Sequence, residues 1–520
     1  MVVVFFALIR FRLRAVPLER DEGEYAYAGQ LLLQGIDPYH LVYSLKLPGT
    51  SAMYAAVLGL FGQNASAVHV GLLLVNAVTS VFLFLIATRL LGRLAGLVTA
   101  CTYALLSLGA TVTGMAAHAT HFVVAFAVAA IWLLRKALDE QRAALIFSAG
   151  VLFGLAFLMK QPGILFAVWA VAYLARRGWS RPMNWRGLAY DFGRLLAGAA
   201  LPCAICCVLI ARSGDFHTFW FWTFSFLRHY GTAVPLRDGI LLLLLHGPVM
   251  VLSAPGVWLI ALLGATAPAW NPRAKAAVFF THSLLLVSLI AISLGLYFRP
   301  HYFILLLPVV SLLAGAAVSC ATEELLQRGA TRALLVLPGC LFLLAVCSSL
   351  YLQRGVLFRM NPAQVSRTIY QENPFPEALE IAKRIRDHTS EGDTIAVLGS
   401  EPEIYFYSHR RSATGFIYMY PLVERQSYSV EMQKQMIHEI ESSRPSMLVL
   451  VEVPSSWVAS PDVARPDTLM AWTRNYISDH YILEGIAEMS ARTHYVWGDN
   501  ALLDQTPAPF NIFLYRKKEQ

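Results

Sequence analysis

The sequence has 520 residues, of which 57% are hydrophobic and only 14% are charged, and this composition excludes both an ordinary soluble protein and a disordered chain. The formal net charge of +8 is uneven: residues 1–352 have 24 Lys and Arg against 12 Asp and Glu, and residues 353–520 have 17 against 21. The positive charge lies between apolar stretches, so it indicates a membrane protein rather than a nucleic-acid-binding protein.

Apolar stretches of about 20 residues predict transmembrane helices along the first two thirds of the chain. The first stretch, residues 1–9, is short and is followed by Arg10, Arg12 and Arg14. It is either the end of a helix that starts upstream or a short, tilted span. Ten further spans are predicted over residues 66–88, 94–113, 118–134, 143–159, 162–176, 193–212, 240–263, 275–297, 301–320 and 332–352. Together they predict about eleven transmembrane helices.

The distribution of Lys and Arg among the short loops predicts the orientation, because basic loops stay in the cytoplasm. One alternating set of loops is rich in basic residues: Arg89, Arg93, Arg135, Lys136, Arg142, Arg176, Arg177, Arg181, Arg186, Arg273, Lys275, Arg328 and Arg332. The opposite set includes residues 15–65 and everything after residue 352. The prediction is a multi-pass membrane protein, with residues 15–65 and 353–520 facing outward.

Residues 353–520 predict a small extracytoplasmic α/β domain, because strand-like and helical patterns alternate there. Helices are predicted over residues 375–388 and 430–442. Strands are predicted over residues 394–398, 447–453, 481–487, 493–497 and 511–516. This region has no strong catalytic motif, so its expected roles are structural, docking or recognition of an acceptor.

Acidic residues are rare in residues 1–352, and five of the 12 lie close together: Glu19, Asp21, Glu22, Glu24 and Asp37. Pro17 and Gly35 bracket a predicted helix whose first turn holds the acids, where the helix dipole favours anions. One hypothesis is an amphipathic helix lying at the membrane interface. Lys46, the one Lys in residues 1–135, follows in a turn-rich loop. A second short helix is predicted at residues 50–62.

The order of these features resembles the polyprenyl-phosphate-sugar glycosyltransferases. The Asp21-Glu22 pair follows the first transmembrane helix, an aromatic helix comes next, and Lys46 and Pro48 follow. The resemblance covers roughly residues 1–352. The family includes protein O-mannosyltransferases (glycosyltransferase family 39) and transferases that add aminoarabinose or galacturonate to lipid A. It implies the GT-C fold, a helical membrane bundle with catalysis on the outer face.

The resemblance also implies a reaction: the inverting transfer of a sugar from a polyprenyl-phosphate-linked donor to a lipid, glycan or protein acceptor of the cell envelope. Asp21 takes the position of the general base that deprotonates the acceptor hydroxyl, and Glu22 would orient or assist it. Lys46 matches the Lys near the donor phosphate, which gains negative charge as it leaves. The implied partners are this donor, the acceptor and membrane lipids, without nucleic acid.

The sequence departs from the family at two positions. Some relatives have a basic residue three positions after the first Asp, where this chain has Glu24. Some have a metal-binding carboxylate immediately before the Lys, where this chain has Leu45. A divalent metal is therefore possible but disfavoured at that position, and the sequence identifies no certain cofactor. Glu24 and the neighbouring Tyr25 are further candidates for the site.

Two histidines precede or begin a helix on the side that is predicted to face outward. His118 and His121 are three residues apart, which places them on one helical face. They are candidates for contact with the donor phosphate, a metal or an acceptor group. The alternative is that both are simply polar residues at a helix end.

Two basic residues interrupt apolar stretches on the same side. Lys160, followed by Gln161, is costly in such a position unless it faces a cavity or an anion, so we expect it to contact the donor phosphate rather than extend to the interface. Arg299 is followed by His301 and Tyr302, and its guanidinium is suited to clamp a phosphate.

The main rival hypothesis is a transporter or flippase of lipid-linked or polar substrates. Such a protein would have charges near the bilayer midplane and broken helices in two related halves. The sequence has its charges near helix ends and shows no related halves. A second rival, a membrane scaffold without enzymatic activity, leaves the cluster of Asp21 and Lys46 unexplained.

Overall fold

The computed structural model describes residues 1–179, 185–424, 426–457, 467–490, 493–503 and 509–519. In this part of the chain a helical bundle is followed by a smaller unit with one six-stranded sheet. Arg181, which the sequence places in a cytoplasmic loop, lies outside the described residues.

The first 352 residues are almost entirely helical. Their α-helices are α1 (Val2–Arg12), α2 (Arg20–Leu33), α3 (Pro38–Leu41), α4 (Pro48–Phe61), α5 (Ala65–Leu91), α6 (Arg93–Leu106), α7 (Ala119–Glu140), α8 (Ala143–Met159), α9 (Ile164–Trp179), α10 (Trp185–Ser213), α11 (Phe216–Trp220), α12 (Leu227–Gly231), α13 (Leu236–Leu252), α14 (Pro255–Thr266), α15 (Pro272–Ser293), α16 (Leu307–Gln327) and α17 (Arg332–Leu352). A π-helix, Phe221–Phe226, joins α11 to α12, and a 3-10 helix, Pro300–Leu306, precedes α16.

Six helices among the described residues are long and apolar enough to cross a membrane. They are α5, α7, α10, α15, α17 and the continuous stretch Pro300–Gln327. A seventh span results if Phe216–Gly231 and α13, which are bent by 89°, count as one. The prediction of a polytopic α-helical membrane protein is confirmed. The predicted number of eleven spans is not established, because α6, α8 and the helical stretch Pro255–Ala269 are apolar but short.

The prediction of one continuous span over residues 240–263 is wrong, because two separate helices cover these residues. The chain leaves the helix after Leu252, and α14 begins at Pro255. Proline has no backbone N–H and is favoured in the first turn of a helix but not in its interior. The apolar composition is continuous through this region and predicted one helix, whereas Pro255 marks the start of a second one.

Small residues allow helices α8 and α10 to pack closely. A Cβ atom on Gly150 of α8 would lie 2.2 Å from the carbonyl oxygen of Leu195 in α10, and a Cβ atom on Gly198 of α10 would lie 2.2 Å from that of Phe147. Close backbone approach at small residues is typical of helix pairs in membranes. The two helices therefore form a pair that a larger side chain at either glycine would separate.

Helix α7 connects two chemically different ends of the bundle. Its N-terminal cap is His118, whereas Asp139 near its other end lies 2.9 Å from Arg89 and 3.2 Å from Arg177. With 22 residues, α7 separates these ends by about 33 Å. Arg89 and Arg177, two of the basic residues that were predicted to share one side of the membrane, therefore meet at this end of the bundle.

The C-terminal region is an α/β unit, as predicted. Its helices are α18 (Pro362–Tyr370), α19 (Phe375–Asp387), α20 (Glu403–Ser408), α21 (Tyr420–Val423), α22 (Ser429–Ser443), α23 (Pro454–Trp457), α24 (Asp467–His480) and α25 (Asn500–Leu503). Its strands are β1 (Thr394–Leu398), β2 (Arg411–Ser412), β3 (Met447–Glu452), β4 (Tyr481–Met489), β5 (His494–Trp497) and β6 (Phe510–Lys517). The strand order is β2-β1-β3-β6-β4-β5, with parallel pairing from β2 to β3 and antiparallel pairing in the rest.

The α/β unit packs directly on α2. A Cβ atom on Gly23 would lie 2.5 Å from the backbone nitrogen of Glu403 at the start of α20. The Tyr27 hydroxyl accepts a hydrogen bond of 2.7 Å from the backbone N–H of Ser412. Most of α2 is buried, from Glu22 to Leu31. The hypothesis of an amphipathic helix lying on the membrane interface is therefore wrong, because α2 is enclosed between the bundle and the sheet unit.

Candidate active site

The start of α2 is fixed by a pair of glutamates. Glu19 accepts a hydrogen bond of 2.9 Å from the backbone N–H of Glu22, and Glu22 accepts one of 3.2 Å from that of Glu19. This capping box begins the helix at Arg20. It places Asp21 in the first turn, on the side that faces the C-terminal unit.

Glu22, which the sequence suggests as a residue that orients or assists Asp21, is buried in contacts between helices. Its Oε1 accepts a hydrogen bond of 2.6 Å from the backbone N–H of Ala117 and lies 3.1 Å from His69 Nε2. The side chain is 1% exposed. The Glu22 carboxylate therefore holds α2, α5 and the segment before α7 together, and its expected role of orienting Asp21 stays a prediction.

A cavity of about 650 Å³ lies between the bundle and the C-terminal unit. The bundle supplies Asp21, Lys46 and Arg299 to its lining, and the C-terminal unit supplies Tyr418 and Tyr420. Pockets that bind small molecules have about this size and combine apolar walls with a few polar groups. The cavity is therefore large enough for a sugar phosphate.

Asp21 lies at the centre of the polar groups in this cavity. Lys46 Nζ donates to Asp21 Oδ1 at 3.3 Å, and the Tyr418 hydroxyl lies 3.3 Å from the same oxygen. The other oxygen, Oδ2, is 3.7 Å from His118 Nδ1 and 4.0 Å from His301 Nε2. Each oxygen of this carboxylate therefore faces a different set of groups.

The environment keeps Asp21 ionised. Burial alone would raise the pKa of Asp21, but the nearby Lys46 and His118 lower this pKa well below its usual value of 3.8. For Glu19, two residues away, burial prevails over the opposing effect of His118 and raises the pKa to about 7. Two neighbouring carboxyl groups with separated pKa values are typical of sites where protons move.

Two cations of the cavity are suited to bind a phosphate. Lys46 has Asp21 as its ion-pair partner. The Arg299 guanidinium lies 5.4 Å from the ring centroid of Tyr297, and within the described chain it forms no close ion pair or hydrogen bond, although the Glu424 carboxyl is near enough to interact with its charge. An unpaired, largely enclosed guanidinium is a strong site for an oxyanion.

Three side chains of the cavity could hold a metal ion. Asp21, His118 and His301 each offer one ligand atom, and these atoms lie within 4.8 Å of one another. The two imidazole rings are stacked, with centroids 4.2 Å apart. A carboxylate with two imidazoles fits a small divalent cation such as Zn²⁺. The sequence paired His118 with His121, whereas the structure pairs it with His301.

Glu24 is a second carboxyl group in the cavity. Its Oε1 accepts a hydrogen bond from the Ser44 hydroxyl, and its Oε2 is buried with no hydrogen-bond partner in the described residues. Burial raises the pKa of Glu24, with Lys46 opposing this effect. Glu24 thus offers a donor or acceptor to a bound molecule. Tyr25 does not line the cavity but holds Lys46, whose Nζ is 5.4 Å from the centre of its ring.

Four other predicted residues lie near the cavity without lining it. His121 is fully buried, and neither of its ring nitrogens has a hydrogen-bond partner among the described residues. Lys160 Nζ lies over the Tyr302 ring, 4.2 Å from its centroid. Gln161 donates a hydrogen bond of 2.9 Å to the carbonyl oxygen of Leu45 and so holds the loop that presents Lys46. The prediction that Lys160 contacts the donor phosphate stays a prediction.

The residues that the C-terminal unit contributes to the cavity were not predicted from the sequence. Arg20 donates hydrogen bonds to the Tyr420 hydroxyl at 2.7 Å and to Glu401 at 3.1 Å. The Tyr418 hydroxyl donates to the carbonyl oxygen of Arg20 at 3.1 Å or to Asp21. The one available signal was a tyrosine-rich stretch, residues 418–420.

The helical bundle, the acidic and basic cluster at one of its ends and the sheet unit above define an integral membrane protein with the GT-C fold. Solved structures show the same fold. The chain superposes on ArnT of Cupriavidus metallidurans bound to undecaprenyl phosphate with a TM-score of 0.54, at 16% identity, covering 91% of this chain and 93% of that one. The archaeal oligosaccharyltransferase AglB of Archaeoglobus fulgidus gives a TM-score of 0.54 at 12% identity, over 98% of this chain and 75% of that one.

Sequence comparisons confirm the resemblance to polyprenyl-phosphate-sugar glycosyltransferases. Residues 46–210 match the family model of dolichyl-phosphate-mannose-protein mannosyltransferases. The chain is 28% identical over 374 residues to an undecaprenyl phosphate-α-4-amino-4-deoxy-L-arabinose arabinosyl transferase of Pseudomonas aeruginosa strain UCBPP-PA14, and 29% identical over 376 residues to that of strain LESB58. In each case the match covers 68% of this chain and 63% of the relative. The chain therefore matches less than two thirds of the length of these curated relatives.

Proposed function

We propose that this protein is an inverting glycosyltransferase that transfers a sugar from a polyprenyl-phosphate-linked donor to an acceptor of the cell envelope. The observation that carries the proposal is the ion pair between Asp21 and Lys46 in a cavity that is also lined by Arg299. A base and two cations are what displacement of a phosphate from an anomeric carbon requires. The names of the sequence relatives support the same chemistry.

In the proposed step, the acceptor oxygen attacks the anomeric carbon of the sugar from the face opposite the phosphate. The new carbon–oxygen bond forms while the bond to the phosphate oxygen breaks, and that oxygen leaves with the bonding electrons. Asp21 takes the proton of the acceptor hydroxyl as the bond forms. A single displacement inverts the anomeric centre and leaves no covalent intermediate on the protein.

Lys46 and Arg299 stabilise the leaving polyprenyl phosphate, which gains charge in the transition state. Lys46 also connects binding of the donor phosphate with the basicity of Asp21, because its Nζ is the ion-pair partner of Asp21 before the donor binds. A donor phosphate near Lys46 competes for this ammonium group. The pKa of Asp21 then rises from its lowered value, so the carboxylate becomes a stronger base when the donor is present.

The metal ligands Asp21, His118 and His301 fit a divalent cation. Such an ion would supply further positive charge near the phosphate. The two histidines have a second effect that needs no ion. They lie next to Asp21 Oδ2, so that Oδ1 points toward Lys46 and the carboxylate is held in one orientation.

The active site is proposed to face outward, toward the periplasm, in an inner-membrane protein. The site lies near the N-terminal end of α7, and the ion pairs of Asp139 with Arg89 and Arg177 lie at the other end. Clustered arginines favour the cytoplasmic side. The C-terminal unit, which covers the site, is then extracytoplasmic as well.

Labelling of introduced cysteines tests this orientation. We expect Lys434→Cys, on the exposed face of α22, to react with a membrane-impermeant maleimide in spheroplasts. Gln141→Cys, at the arginine-rich end of α7, should react only after the membrane is opened. The unsubstituted protein is the control for native cysteines. The reverse pattern would place the active site in the cytoplasm.

The names of the sequence relatives limit the donor sugars and acceptors to test first. The name of the Pseudomonas relatives makes undecaprenyl-phosphate aminoarabinose the first donor to test. The acceptor is a lipid, glycan or protein of the envelope. The transporter alternative has less support. It expects charged side chains near the middle of the membrane, whereas the ion pairs around α7 lie at its two ends.

The direct test is a transfer assay with the purified full-length protein in lipid. It is incubated with radiolabelled undecaprenyl-phosphate aminoarabinose, or with the corresponding mannose donor, and with an envelope extract. We expect label to move from the donor to a component of the extract and polyprenyl phosphate to be released in equal amount. Uptake of an intact donor into vesicles without release of polyprenyl phosphate would support a transporter instead.

A further inference from the structure

A second cavity, of about 270 Å³, adjoins the active-site cavity. The two cavities share the side chains of Tyr43 and Trp222. The second cavity lies between the π-helical segment that follows α11 and helix α22 of the C-terminal unit. The proposed transfer step makes no use of it.

Aromatic rings form the walls of this second cavity. Tyr43 and Trp222 are stacked, with centroids 5.7 Å apart and planes 14° apart. Phe221 and Tyr428 meet edge to face at 5.4 Å. Phe221 and Trp222 begin the π-helix, and π-helical turns are rare and occur frequently at functional sites. The local backbone therefore presents two successive aromatic side chains to the cavity.

Polar groups surround these rings. The Tyr43 hydroxyl donates to Glu439 at 2.9 Å and accepts a hydrogen bond of 3.2 Å from Gln435 Nε2, so its ring is held in one orientation. Glu431 and His217 add further hydrogen-bonding groups to the lining. The described lining contains neither Lys nor Arg, in contrast to the active-site cavity.

We propose that this second cavity binds a sugar ring of the acceptor, so that the acceptor is a glycan or the carbohydrate part of a glycolipid; this inference rests on the proposed glycosyltransferase function. The apolar C–H faces of a sugar ring pack on aromatic rings, and its hydroxyls bond to amides, carboxylates and hydroxyls. Without a cation, the cavity is a poor site for a phosphate. The donor phosphate thus stays with Lys46 and Arg299.

The size and position of the cavity favour a single ring. Its volume lies just below the range of about 300–1,000 Å³ that is usual for ligand pockets, so it admits one ring rather than a whole lipid. The shared wall of Tyr43 and Trp222 places a bound ring next to the active-site cavity. Asp21 lines that neighbouring cavity, so a part of the same acceptor that extends into it would meet Asp21 there.

Direct binding tests the cavity independently of transfer. Saturation-transfer NMR is recorded with the purified full-length protein and with methyl glycosides of glucose and glucosamine as probes. We expect saturation of the ring protons in the wild type and about tenfold weaker binding in Tyr428→Leu. Trp472→Leu, which removes a partly buried aromatic ring of α24 away from the cavity, is the matched control and should bind as the wild type does.

Kinetics connect the cavity to the acceptor. With an envelope glycolipid fraction as acceptor, Tyr428→Leu should raise the half-saturating acceptor concentration about tenfold and leave that of the donor unchanged. Asp21→Asn should still bind the glycosides while transfer is lost. The inference would be overturned if the wild type did not bind the glycosides. It would also be overturned if a synthetic Ser/Thr peptide bound at Tyr428 and the glycosides did not. If glycosides bind but no donor is consumed, the proposed transferase function fails instead.

Discussion

Replacement of Asp21 by Asn is expected to lower sugar transfer by about 10²–10⁴-fold, the contribution typical of a positioned general base. The amide has nearly the shape of the carboxylate but cannot take the acceptor proton. It also cannot form the ion pair that Lys46 makes with Oδ1. Initial rates of label transfer from the polyprenyl-phosphate donor, at saturating donor and acceptor, measure this effect.

The control for this variant is Asp37→Asn, an identical change in the same outer segment. Asp37 caps α3 by accepting a hydrogen bond of 3.0 Å from the backbone N–H of Tyr39, and an amide oxygen can replace it there. We expect near-wild-type transfer from Asp37→Asn. Retained polyprenyl phosphate binding and an unchanged unfolding temperature would show that Asp21→Asn is folded. Transfer by Asp21→Asn within threefold of the wild type would remove Asp21 from the role of base.

The class of the fold and most of its elements could be predicted because the signals are local. Apolar stretches predicted the helices of the bundle, and short β-rich stretches predicted all of the strands except β2, which has only two residues, Arg411–Ser412. The break before Pro255 was missed because composition over a window of 20 residues does not register a single proline. The cluster around Asp21 stood out since acidic residues are rare in this region.

The cavity itself could not be predicted, because distant parts of the chain build it. His301 reaches Asp21 from 280 positions further along the sequence, and Tyr418 comes from the other unit of the protein. The pairing of His118 with His121 failed for a related reason. Helical spacing was applied to two residues of which the first only caps the helix, so their side chains have different surroundings.

The C-terminal unit, which the sequence predicted as a separate domain, is therefore part of the proposed site. Arg20, adjacent to Asp21, donates hydrogen bonds to Tyr420 and Glu401 in that unit. Gly23 leaves no room for a side chain between α2 and α20. Displacement of the unit would therefore expose Asp21 to water and remove Tyr418 from it, which links the position of this unit to the protonation of the base.

Replacement of Lys46 by Gln is expected to lower transfer by about 10²–10³-fold, since loss of one group that stabilises a developing oxyanion has this effect in enzymes. A second consequence concerns pH. Lys46 is the largest of the influences that lower the pKa of Asp21, whereas burial acts to raise this pKa. Without Lys46 the pKa of Asp21 rises, so the pH at which transfer is lost on acidification also rises.

Measurement of kcat/KM for the donor between pH 4 and pH 8, which reports the protein before the donor binds, separates these two effects. The wild type should remain active toward the acidic end, because Asp21 stays ionised there, whereas the residual activity of Lys46→Gln should fall at a higher pH. Lys46→Arg retains the charge and should recover part of the rate and the wild-type pH profile. Lys434→Gln, an equivalent loss of charge on exposed α22, should change neither. Unchanged donor kinetics in Lys46→Gln would exclude contact with the phosphate, and an unchanged pH profile would mean that another cation holds Asp21 ionised.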